Sequence, residues 1–272
     1  MPSQTESSAL SPVEFHIAKL PFIAMRISRL YVSQPLNCGQ HIELDDDSAH
    51  YVRTVLRLAK DDKIVLFDGS GADYPSVLLE VSRNRVAVAI EQRQSRDVES
   101  PLAVCLGLGM ARGDRMDLSV QKAVELGVNR ITPIETERCL VQLKGDKRVQ
   151  RFTHWQRIVR HAAEQCGRSI LPELAPITPL HQWVSEQQGL KLFLDPYAEI
   201  TLADLQPEDD RVTLLTGPEG GFADHEREAA KAAGFVPVRL GGRILRTETA
   251  SLAALSAVQM LWGDFRSGPK AC

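Results

Sequence analysis

Cysteine is scarce in this chain and poorly placed for cross-linking. Cys38, Cys105, Cys139, Cys166 and Cys272 are odd in number, scattered and never spaced C-x-x-C. Disulfides and a zinc site are therefore not expected, and a reducing compartment is. Net charge is small as well. With 32 Lys and Arg against 35 Asp and Glu it is formally −3, so no global field draws the protein toward nucleic acid, although a local patch can exist under a nearly neutral total. Long apolar runs are missing; none approaches the roughly 20 residues of a membrane span. Residues 1–24 carry Lys19 as their only basic side chain, opposed by Glu6 and Glu14, which fits neither a secretion signal nor a transit peptide. The expected setting is soluble and cytoplasmic, with no membrane and no metal.

What is present organises into two parts. A chain of 272 residues, 43% hydrophobic and 25% charged, is long enough for one large domain or two ordinary ones. Residues 1–24 are Ser-rich and aperiodic and read as a flexible leader. From Met25 short apolar strands alternate with turns ("RLYV", "IVLFDGSGADYPSVLLEV", "RVAVAI"), broken by one helix around "DSAHYVRTVLRL". This predicts a small β-barrel over residues 25–95. The polar segment "EQRQSRDVESP" reads as a linker. Beyond it, strands are predicted at 103–106, 131–134, 191–194, 212–215 and 236–240. They are separated by helices in "MDLSVQKAVELG", "HWQRIVRHAAEQCG", "DHEREAAKAAG" and "TASLAALSAVQMLWGDF". That alternation predicts an α/β domain over residues 96–272, with a mostly parallel sheet covered on both faces.

Three features carry chemistry. In "AVCLGLGMARGDRMDL", Gly107, Gly109 and Gly113 read as a turn between strand and helix, and Glu135 closes the next strand. That is close to a dinucleotide fingerprint, but the last glycine interval is four rather than three, and a plain glycine turn carrying functional arginines is the other reading. Second, "LLTGPEGGFADHE" and "LGGRILRTETASLAAL" each set glycines after a strand end. They are either ordinary strand-to-helix connections or walls of a slot for a flat ligand, with Gly220 expected to leave the slot open. Neither has the lysine of a phosphate loop. Arg246 and Glu248 read either as site residues or as a surface ion pair beside a helix start. Third, from Lys144 to Arg168 a surplus of five positive charges accumulates, including Arg148 and Arg151. It is either a solvated face or a phosphate-binding surface, which Arg26, Arg29, Arg53 and Arg57 of the small domain would extend.

The long ordered segments "LGLGMARGDRMDLSVQKAVELGVNRITPIETERC", "HAAEQCGRSILPEL", "LLTGPEGG" and "LGGRILRTETA", with the "MRISRLYV" start and the "LFDGSGADY" turn, give the chain a resemblance to a known family. From Met25 to Phe265 it resembles the RsmE family of 16S ribosomal RNA uridine-N3 methyltransferases, in the SPOUT superfamily. The resemblance implies a PUA-like β-barrel that helps to hold RNA, a C-terminal SPOUT-type α/β methyltransferase domain with a deep trefoil knot, and a homodimer acting on 16S ribosomal RNA or the 30S subunit. It also implies S-adenosyl-L-methionine as cofactor. Thr216, Gly217, Pro218, Glu219, Gly220 and Gly221 would form one wall of its slot. Leu240, Gly241, Ile244, Leu245 and Arg246 would form another, and Leu194 with Asp195 a third.

Methylating uridine N3 needs both reactants oriented and negative charge stabilised on the uracil, and no covalent nucleophile. The N3 atom lies on the pairing edge, so the base must be unpaired or flipped out. Arginine suits the developing charge. Arg246 is the first catalytic candidate, Arg112 and Arg138 follow, reaching across a dimer, and Glu248 would orient Arg246 or take up the proton. A nicotinamide-dependent oxidoreductase and a non-catalytic RNA-binding factor are the rival functions.

Overall fold

The computed structural model describes residues 27–266. The leader, Arg26 and Cys272 lie outside the described residues. The N-terminal part is built from β1 (Arg29–Tyr31), β2 (His41–Glu43), α1 (Asp46–His50), a π-helical turn Tyr51–Leu56, β3 (Lys63–Phe67), β4 (Ala72–Val81), β5 (Val86–Ile90) and β6 (Gln94–Ser95). Its six-stranded sheet runs β1-β3-β4-β5-β2, with β6 added beside β4. The segment expected as a plain linker therefore contributes a short strand, because Gln94 and Ser95 find partners at Asp73 and Ala72. Alternation in "RVAVAI" places Val86, Val88 and Ile90 against Leu66, Tyr74 and Leu78 in one apolar core.

The C-terminal part comprises β7 (Ala103–Gly109), α2 (Asp114–Glu125), β8 (Arg130–Glu135), α3 (Asp146–Cys166), β9 (Glu173–Leu174), β10 (Thr178–Pro179), α4 (Leu180–Ser185), β11 (Leu190–Leu194), β12 (Arg211–Thr216), α5 (Asp224–Ala232), β13 (Val236–Val238) and α6 (Thr247–Trp262). All pairings in its seven-stranded sheet are parallel, in the order β10-β8-β7-β12-β11-β13 with β9 beside β8. β12 is buried at every position after Arg211, as expected of a strand covered on both faces. On α2 the buried residues Met116, Ser119, Val120, Ala123 and Val124 repeat at helical spacing and face the sheet. α6 packs on α2 and β12. Gln259 on α6 donates to the Leu126 carbonyl at 3.0 Å, which closes the end of α2.

The two parts meet through a buried charge cluster. Asp73 on β4 accepts from Arg29, from Ser169 and, at 3.2 Å, from Arg96, while Arg29 also donates to the Arg168 carbonyl at 3.1 Å. Only 11% of the Arg29 side chain and 8% of the Asp73 side chain are exposed, so removing Asp73 would leave the buried Arg29 charge without its ion-pair partner, at a cost of about 3–5 kcal/mol. The Tyr31 N–H adds a bond of 3.0 Å to Glu164 on α3. Arg29, expected to track phosphate, is an interdomain tie. Arg168 is likewise buried, paired with Glu99 at 2.5 Å and donating to the Val124 and Val128 carbonyls.

Candidate functional site

In a parallel sheet the loops after the strands' carboxyl ends converge where the strand order turns back, which is where such folds bind ligands. Here the loops after β11, β12 and β13 line a cleft of about 520 Å³. Every cofactor-wall candidate lines it except Gly241, and so do the catalytic candidates Arg138 and Arg246. Val238 and Phe222, 0% and 3% exposed, give the cleft a buried apolar floor. Thr216, at the end of β12, is 1% exposed, and its hydroxyl has no hydrogen-bond partner among the described residues.

The glycine turn after β12 is held from three sides. Gly109, the last residue of β7, runs so close beneath it that a Cβ would stand 2.5 Å from the Pro218 nitrogen. Gly220 faces the loop carrying Arg138, where a Cβ would meet the Arg138 carbonyl oxygen at 2.8 Å. Gly220 thus lines the cleft and also packs tightly against that loop. The left-handed residue of the turn is its neighbour Gly221, at φ 66°, with open space beside it. Glu219 anchors the third side: its Oε1 accepts from the Arg112 N–H and from Arg115 Nη1, both at 3.2 Å. Burial pushes the Glu219 carboxyl up, but its own N–H, the Arg112 N–H and the Arg115 guanidinium outweigh that and hold it below the usual carboxylate range.

Within one protomer Arg112 reaches the glycine turn through its backbone N–H, by way of Glu219. Glu248 is turned toward Arg115, Oε1 to Nε 4.0 Å, and neither orients Arg246 nor pairs with it. Arg138, Arg243 and Arg246 line the cleft without an ion pair among the described residues. The loop of Arg138 is positioned by Glu226, a buried α5 carboxylate that accepts from the Glu137 and Ala223 N–H groups, both at 2.8 Å. Sequence reasoning missed Arg227, Arg243 and Tyr197 as lining residues. Arg227 pairs with Asp195 at the β11 end. Its signal was a basic residue in the middle of a short acidic helix beside the glycine turn, meaningful only once the strand end opposite is known.

The first glycine cluster is not a phosphate turn. Gly107 and Gly109 lie inside β7, where their hydrogens admit the Trp183 ring, 2.5 Å from an added Cβ at Gly107, and the Pro218 backbone. Glu135 pairs with Arg148 at 2.5 Å. The dinucleotide reading fails on both counts. The basic stretch also divides: Arg148 is held by Glu135 and donates to the Ile177 carbonyl at 2.6 Å, and Arg151 lies 4.0 Å from Asp117. Lys144, Lys147 and Arg157 stay exposed. In the small domain Arg53 donates to the Ser82 carbonyl at 2.9 Å, whereas Arg57 is exposed. Burial pushes the Cys139 and Cys166 thiols up, away from the thiolate a nucleophile needs. Among the described residues no cluster of His, Cys, Asp or Glu can hold a metal ion, and no helix is long and apolar enough to cross a membrane.

Residues 98–259 match the RNA methyltransferase domain family, and residues 44–91 match the RNA methyltransferase PUA domain. Together with the parallel sheet and its cleft, these matches define an RNA methyltransferase with an N-terminal PUA-like domain. A ribosomal RNA small subunit methyltransferase E of Buchnera aphidicola subsp. Schizaphis graminum is 37% identical over 241 residues, 88% of this chain and 98% of that protein. A crystal structure of the same enzyme from Neisseria gonorrhoeae, bound to S-adenosyl methionine, is 38% identical with a TM-score of 0.82, covering 88% of this chain and 99% of that one. A Legionella pneumophila structure in complex with the cofactor SAM is 38% identical, with a TM-score of 0.86 over 88% of this chain and 99% of that chain. The chain belongs to the ribosomal RNA small subunit methyltransferase E family.

Proposed function

We propose that this protein methylates N3 of a uridine in 16S ribosomal RNA, with S-adenosylmethionine as donor, as a cytoplasmic homodimer. The observation that carries the reading is the three-walled cleft at the ends of β11, β12 and β13, in a chain similar to two solved structures that hold this cofactor. The residues present fit such a group: a buried apolar floor, bare glycine backbone along one wall, and the Thr216 hydroxyl, unpartnered among the described residues. When bound, the cofactor supplies an electrophilic methyl on sulfur. As uracil N3 loses its proton, charge grows on the flanking carbonyl oxygens, and guanidinium groups in the same cleft stabilise it. Arg246 and Arg138, which line the cleft, are the candidates for that task. Thr216 to Gly221, Leu240 and Ile244 to Arg246 would hold the cofactor.

The reading assigns residues 25–95 to RNA holding and residues 96–272 to the methyltransferase domain with its trefoil knot. The chain passes from β11 to β12 and then to β13 on the far side of β11, before α6 returns to β12, which supports a threaded chain. Leu118 on α2 and Met260 on α6 are 40% and 54% exposed on adjacent helices, which supports a dimer. The test is methyl transfer from labelled cofactor to small subunits and to naked 16S RNA from cells lacking the gene, with the product mapped by mass spectrometry. One new 3-methyluridine is expected. RNA binding without transfer would leave a non-catalytic factor.

A further inference from the structure

We propose that Tyr197 is the stacking platform on which the extruded target pyrimidine lies, an inference that rests on the RNA-methylation reading above. Tyr197 follows the end of β11 and lines the cleft, yet is 77% exposed. Its attachment is firm. The Tyr197 N–H donates to Asp195 Oδ1 at 3.0 Å, the Ala198 N–H donates to the Asp195 carbonyl at 3.2 Å, and the Asp195 N–H donates to the Val238 carbonyl at 3.0 Å. Arg227 holds the other oxygen of Asp195. The ring thus projects into solvent from a fixed root, and ordering it against a ligand restrains few torsions.

Exposure separates this ring from the buried floor of the cleft. Thr216, Phe222 and Val238 are buried at the bottom of the cleft, whereas Tyr197 stands at its mouth, where a base leaving an RNA stack arrives. A stacked base presents its whole pairing edge sideways, which leaves N3 and both carbonyl oxygens free. The guanidiniums of Arg138, Arg243 and Arg246, without an ion pair among the described residues, line the same cleft to meet that edge. Stacking on an aromatic face compensates for the neighbours that the base loses in the RNA, and it does so without reading sequence.

The test uses the full chain with Tyr197→Ala and Tyr197→Phe. RNA affinity is measured with S-adenosylhomocysteine present, methyl-transfer KM and kcat are taken on the same RNA, and S-adenosylmethionine affinity is measured by calorimetry without RNA. Tyr197→Ala should weaken RNA binding and raise the RNA KM about 5- to 100-fold, as loss of one base-on-ring stack does. Cofactor affinity and the thermal midpoint should not move, and Tyr197→Phe should restore RNA affinity because the ring remains. Unchanged RNA affinity in Tyr197→Ala overturns the proposal. So does loss of cofactor affinity alone, which would make the ring a cofactor cover, and so does failure of Tyr197→Phe to rescue, which would make the hydroxyl the active part. The wild-type arm separates the two levels: no methyl transfer by wild type removes the enzymatic reading, whereas normal transfer by Tyr197→Ala removes only the stack.

Discussion

Gly109→Ala adds one methyl group, and its consequence can be worked from the structure. The new Cβ would lie 2.5 Å from the Pro218 nitrogen and 2.7 Å from both the Gly217 carbonyl carbon and Pro218 Cδ. None of these atoms ends a flexible side chain, so the glycine turn must retreat as a unit. Reaching the 3.4 Å at which ordinary contact begins takes a displacement of about 0.9 Å. Overpacking of this kind costs about 1–3 kcal/mol in stability, and a misplacement near 1 Å at a site can cost on the order of 100-fold in rate. Stability would be read by urea unfolding, cofactor affinity by calorimetry and turnover by methyl incorporation. Gly107→Ala is the control, because its Cβ meets the Trp183 ring at 2.5 Å, away from the cleft. It should lose stability and keep cofactor affinity, while Gly109→Ala loses both. Wild-type cofactor affinity in a folded Gly109→Ala would refute the claim that β7 sets the height of the turn.

Arg246→Ala should slow single-turnover methyl transfer by about 100-fold or more at saturating RNA and cofactor, the loss expected of one preorganised donor, and lysine should rescue poorly. A rate within a few-fold of wild type would move the role to Arg138. The Glu219 clasp should be pH-dependent. Its folded carboxyl sits below the unfolded value of about 4.3, so its stabilisation is complete above that pH and is lost as pH falls through the folded value. The stability gap between wild type and Glu219→Gln should therefore close in acid, and a gap that persists unchanged would show that the charge contributes nothing. Lys147→Glu combined with Arg157→Glu, on the exposed face of α3, should weaken RNA binding and lower its salt slope by roughly two while cofactor affinity holds. An unmoved slope would make that face a merely solvated one.

Much was legible in the sequence because it is local. Apolar runs of four to six residues between helical periods gave the parallel sheet, the alternation in "RVAVAI" gave a strand of the small domain, and glycines after two strand ends gave the walls of a slot. What stayed hidden depends on contacts between residues far apart in the chain. Gly107 and Gly109 looked like a turn because glycine usually marks one, but they sit in β7 and make room for Trp183 and Pro218, about 75 and 110 positions away. Arg29, Arg148 and Arg168 counted as phosphate-binding charge until Asp73, Glu135 and Glu99 were seen opposite them. Charge in a sequence carries no record of its partner, and a guanidinium neutralised inside the protein is no longer available to RNA. Glu248 shows the same limit, since its nearness in sequence to Arg246 gave no hint that Arg115, one helix away, faces it. Sequence determined the longer helices and the main strands, through periodicity and turn chemistry. Only the tertiary structure decided which arginines remain free at the cleft and which ring stands exposed at its mouth, because burial and pairing are properties of the packed molecule.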